Sequence, residues 1–110
     1  MREIKFRAWD GEGFYKWEHL RLVSPVEWGN DLILQQFTGL HDKNGKEIYE
    51  GDIMTQFWNP FNKPLEEIKE IGEVSITPDR GVLVGGKPIW LHDGAEVIGN
   101  IYENPELLNP

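Results

Sequence analysis

Cysteine is missing altogether from these 110 residues. That absence excludes disulfides, thiolate metal sites and a cysteine nucleophile at once. Histidine is scarce: His19, His41 and His92 show neither an H-x-x-x-H nor an HExxH spacing, so no metal site is expected. Both serines, Ser24 and Ser75, lack a nucleophile-elbow context. No apolar run approaches the roughly 18 residues of a membrane span. The segment Met1–Arg7 alternates charged and apolar residues where a signal peptide would carry an apolar core, so a cytoplasmic location is expected. Basic residues are outnumbered 19 to 11, for a net charge of -8. An acidic surface repels phosphate backbones and removes the usual driving force for nucleic-acid binding.

What is present is a globular composition. Hydrophobic residues make up 39% and aromatics 12%, enough for one core in a chain of single-domain length. The charge is uneven. Residues 1–24 hold five Lys/Arg against four acids, whereas the remainder holds six against fifteen. The simplest reading is solubility; the sharper one is a surface complementary to a basic partner.

Periodicity predicts strands nearly throughout. Ile4, Phe6 and Ala8 alternate with Glu3, Lys5 and Arg7, the pattern of a half-buried strand over 2–9. Asp10-Gly11-Glu12-Gly13 predicts a turn into a second strand over 14–23. Neither face of that strand is cleanly apolar, which suits a bulge or an edge position. A third strand is expected over 32–37. Asn44-Gly45 predicts a tight hairpin of type I′, and Gly51 a bend with Asp52 accepting backbone N–H bonds beside it. Further strands are expected over 48–58, 70–77, 82–84, 89–91 and 96–102, with a helical turn over 65–70 opened by Pro64. The fold class is therefore mostly β. About five short strands from residue 48 onward predict an SH3-like small β-barrel in the C-terminal part (about 38–104), with the N-terminal strands (about 1–37) packed on it.

Three blocks resemble the YopX-like proteins of bacteriophages and prophages of Gram-positive bacteria. They are residues 4–10 (IKFRAWD), residues 36–40 continuing to Asp52-Ile53, and residues 96–108 (EVIGNIYENPELL), in the family's order. The resemblance implies a mostly β fold with an SH3-like barrel. It implies no activity, and no catalytic residue is carried over. Residues 24–31 and 59–69 lie outside the three blocks.

No constellation for chemistry stands out. His92-Asp93-Gly94 reads more simply as a turn than as a general-base pair, since neighbours on a strand point to opposite faces. Glu66-Glu67 reads as a solvated face, and Gly85-Gly86-Lys87 lacks the spacing of a phosphate loop. No catalytic, cofactor-binding or metal residue is assigned. The five tryptophans are the better lead. Trp28, Trp58 and Phe61 fall in or beside loops and are candidate interface residues, the alternative being packing onto their own barrel. The expected function is a non-enzymatic, protein-binding phage or prophage protein of the host cytoplasm. Its expected partner is a protein, with host proteins among the candidates, and exposed strand edges allow homo-oligomers. The alternative is nucleic-acid binding through Arg2, Lys5, Arg7 and Arg21 around Trp9 and Trp17.

Overall fold

The structure, a computed structural model, describes residues 4–22, 32–58, 68–89 and 95–108, without the side chains of 57, 58, 68 and 69. Two antiparallel sheets carry it. The first contains β1 (Phe6–Trp9), β2 (Phe14–Tyr15), β3 (Ile33–His41) and β4 (Glu47–Tyr49), in the order β2-β1-β3-β4. The second contains β5 (Asp52–Trp58), β6 (Ile68–Thr77), β7 (Gly81–Val84), β8 (Lys87–Pro88) and β9 (Glu96–Asn100), in the order β8-β7-β6-β5-β9. One helical turn, α1 (Trp17–Leu20), follows β2, and a 3-10 turn spans Pro105–Leu108.

Turn chemistry sets the connections. Asp10 Oδ1 accepts the N–H groups of Glu12 (2.7 Å) and Gly13 (2.8 Å), closing the β1–β2 turn as an Asx turn does. Gly85 and Gly86 both take positive φ (59° and 84°), the requirement of a two-residue I′ hairpin between Val84 and Lys87. The β3–β4 connection is wider than the expected Asn44-Gly45 pair. Its turn runs from the Asp42 carbonyl to the Gly45 N–H (3.0 Å), and Asp42 N–H donates to the Lys46 carbonyl (2.9 Å).

The core lies in the five-stranded sheet and the strand leading into it. Ile48, Met54, Val74, Val82, Val84, Ala95 and Val97 form one buried cluster, with Leu40 and Ile89 packed against it. Each fully buried aliphatic side chain there contributes about 1.5–3 kcal/mol. Val74 and Val84 are direct cross-strand partners, as are Met54 and Val97.

Further expectations need correction. The strand expected over 14–23 ends at Tyr15, and the chain turns helical at Trp17. The cause is visible in the spacing: Trp17 and Leu20 are three apart, so a helical turn sends both toward β1. There Leu20 is buried and the Trp17 ring lies 5.9 Å from that of Phe6. Of the helical turn expected over 65–70, residues 68–70 are instead strand, paired with Gln56, Phe57 and Trp58; residues 65–67 lie outside the described residues. Another is closure. Among the described residues β8 and β9 are the two unjoined ends of the five-stranded sheet, so the hydrogen bonding gives two open antiparallel sheets rather than a closed barrel. β3 also outruns its expected end at Phe37, continuing to His41.

Candidate functional site

The two sheets meet where β1 crosses the start of β5. Alternation in β1 was expected to leave Lys5 and Arg7 on a polar outer face; the structure turns them inward. Lys5 Nζ lies 2.5 Å from Glu47 Oε2. Arg7 Nη2 donates to Asp52 Oδ1 (2.5 Å) and Nε to Gln35 Oε1 (2.7 Å), while the guanidinium lies between the rings of Phe14 and Tyr49, 4.3 and 4.6 Å from their centroids. Asp52 Oδ2 accepts the Tyr49 N–H (2.8 Å), the backbone bond expected of this aspartate. Burial pushes the Asp52 carboxyl above its ordinary value, against the opposing pull of Arg7 and the Tyr49 N–H. The expected bend at Gly51 is present, with φ 85°; a Cβ there would sit 2.0 Å from Gln35 Nε2.

A second join ties the β3–β4 hairpin to the far sheet. Asp42 Oδ1 accepts the N–H groups of Asn44 and Lys46 (both 2.9 Å), and Oδ2 accepts that of Val97 in β9 (3.0 Å). Lys43 N–H reaches the Ala95 carbonyl (3.0 Å). Burial alone would raise the Asp42 carboxyl, but the N–H groups of Val97, Lys46 and Asn44 outweigh it and hold it below its usual value. Trp9 adds an aromatic join, stacked on Tyr102 at 5.5 Å and tilted against Phe14 at 4.9 Å.

The opposite face of the first sheet is the candidate contact surface. Ala8 pairs with Tyr15 on one side and Leu34 on the other, and directly opposed residues share a face. Ala8 is fully buried, whereas Tyr15 and Leu34 are 45% and 41% exposed. Leu22, two residues beyond α1, and Ile4, two before β1, are more exposed still; Ile33, also exposed, lies opposite Trp9 and so on the other face. The N–H groups of Glu12 and Gly13 lower the Asp10 carboxyl, which bonds the Tyr15 hydroxyl and raises its pKa. Asp10 and Glu12 place negative charge beside Tyr15.

Of the residues singled out from the sequence, Trp28 and Phe61 lie outside the described residues. Trp58 ends β5 opposite Ile68, with its side chain also outside them. His41 packs edge-on to Phe37 at 5.6 Å, His19 sits in α1, and His92 is outside the described residues. Among the described residues no three His, Asp or Glu side chains are grouped as a metal site would require, and no helix is long and apolar enough to cross a membrane.

Sequence reading missed the Arg7–Asp52 pair and the reach of Asp42 to β9. For Asp42 a signal existed, since Asp two residues before Asn-Gly is the residue that caps such a turn. For Arg7 and Asp52, 45 positions apart, there was none.

A search of curated proteins gave no match. Among solved structures, the crystal structure of protein EF1440 from Enterococcus faecalis is similar, with a TM-score of 0.67 and 26% sequence identity over 98% of this chain and 99% of that one. Residues 16–109 match the family described as YopX protein. Since that span takes in α1 through the closing 3-10 turn, well over half of the sequence, the chain belongs to the YopX protein family.

Proposed function

We propose that the protein is a non-enzymatic binding module of phage or prophage origin. It acts in the host cytoplasm by seating a partner protein on the α1 face of its four-stranded sheet. One observation carries this reading. Of the large hydrophobic side chains exposed among the described residues, Ile4, Tyr15, Leu22, Ile33 and Leu34 all belong to the first sheet and its flanks, while Ile71 alone belongs to the second. Tyr15 and Leu34 share the Ala8 face, while Ile33, opposite Trp9, turns to the other; exposed apolar groups beside acids suit a partner with an apolar centre and basic rim. The five-stranded sheet is read as the SH3-like part of the fold, with β8 and β9 as the strands at which a barrel would close.

Two of the four cations in the nucleic-acid alternative are engaged within the fold, while Arg21 is exposed. Lys5 is bonded to Glu47 and Arg7 to Asp52, and the Trp9 ring is stacked on Tyr102 rather than offered to a base. Arg2 lies outside the described residues.

The test compares baits in lysate from phage-infected cells. A prey held by the wild-type chain and by Ile71→Glu, but released by Leu34→Glu, is the expected result. A prey indifferent to Leu34→Glu, or none at micromolar bait, contradicts the reading.

A further inference from the structure

At the junction of the two sheets a concavity of about 370 Å³ opens between β1, the start of β5 and β9. Arg7, Lys46, Asp52, Gly99, Asn100 and Glu103 are among its lining residues. Its unused hydrogen-bonding capacity leans toward donors. Both Asp52 oxygens are engaged, Oδ1 by Arg7 and Oδ2 by the Tyr49 N–H, and Glu103 Oε1 accepts from Asn100 Nδ2 (2.7 Å). The donors are less used. A guanidinium carries five N–H groups. Arg7 commits its Nε to Gln35 and one bond from Nη2 to Asp52, and among the described residues Nη1 meets no acceptor. The Phe14 and Tyr49 rings on either side fix the plane in which those remaining donors point. Lys46 is exposed at the edge, with no carboxylate in ion-pair contact among the described residues. The β9 wall is bulged here: Ile53 opposes Gly99 and Met54 opposes Val97, leaving Ile98 as the extra residue and interrupting the ladder.

We propose that this concavity binds a small oxyanion, a carboxylate or a phosphate group, with Arg7 as the directional donor and Lys46 as the second positive charge. Preorganised, charge-assisted donors are what such groups select. Glu103 opposes the anion, and so does the net charge of -8 at longer range, so binding is weak and sensitive to Glu103. The site is separate from the apolar face and does not depend on it.

The experiment is an NMR titration of the full chain with sodium acetate and, separately, sodium phosphate, against sodium chloride at matched ionic strength. Saturating shifts of the Arg7 Nε–H and of the Gly99 and Asn100 amides, beyond those in chloride, are expected. Acetate alone assigns a carboxylate, phosphate alone a phosphate, and both a general oxyanion site. Lys46 is exposed, so Lys46→Ala leaves the fold intact and weakens binding about two- to fivefold, the size of a solvent-exposed ion pair. Glu103→Gln, which keeps an oxygen for Asn100, tightens it. Shifts that match the chloride control, or that are unchanged in Lys46→Ala, overturn the proposal.

Discussion

Asp42 and Asp52 are both buried, and each fastens one sheet to the other, yet they do so by opposite physics. Asp42 is met by three backbone N–H groups, from its own hairpin and from β9. These dipoles are fixed by the chain and need no charged partner, and they hold the carboxyl below its ordinary value despite burial. Asp52 is more deeply placed and relies on one N–H and on a cation carried by another strand. There burial wins, and the carboxyl rises. The lesson is that a close ion pair is not by itself a stabilising one. The cost of taking two charges out of water can exceed their attraction, whereas a carboxylate in a ring of amides is repaid locally.

The largest effect should come from splitting the pair. Arg7→Met leaves the Asp52 carboxylate buried without its cation, and urea unfolding should show a loss of about 3–5 kcal/mol. Replacing both, as Arg7→Met with Asp52→Leu, should recover a substantial part. A double variant as weak as the single one would mean that the pair itself carries the seam.

Backbone geometry sharpens the same contrast. Gly51, next to Asp52, and Gly45, whose N–H closes the Asp42 turn, both have positive φ (85° and 80°). At Gly45 a Cβ meets nothing within 4 Å, so Gly45→Ala pays only for the left-handed backbone, about 1–2 kcal/mol. At Gly51 the added carbon would strike Gln35 Nε2 at 2.0 Å, and Gln35 is the side chain that also holds Arg7. Gly51→Ala should therefore cost more than Gly45→Ala in thermal unfolding. Equal costs would show that the Gln35 side chain yields freely.

Much of this architecture was legible in the sequence. Asp10 with two following glycines, Gly85-Gly86, and the alternating Val82 and Val84 each give a local signal that the fold honours, because turns and strand faces depend on neighbours. The contact between Arg7 and Asp52 was not legible. Alternation separates the two faces of β1, but it does not say which face meets water. Here Phe6 and Ala8 lie under α1 while Arg7 faces the second sheet, so both faces are covered. The α1 turn was hidden for a related reason: Trp17 and Leu20 fit a strand as residues, and only their spacing of three favours the helix that reaches β1. The oxyanion site proposed above could not be read either, because its members come from strands that are distant in the chain.

The central contrast is tested most directly by urea unfolding as a function of pH for the wild type, Asp42→Asn and Asp52→Asn. Asp42 has a folded pKa below the ordinary 3.8, so it contributes stability above pH 3.8 and loses it as pH falls through its folded value. Asp52 has a folded pKa above 3.8, so its contribution is fullest below 3.8 and declines as pH rises through its folded value. Removing the Asp42 carboxylate should therefore flatten the loss of stability in acid. Removing that of Asp52 should steepen the net rise of stability with pH between 3.8 and its folded value. Slopes that change in the same direction in both variants would contradict the account.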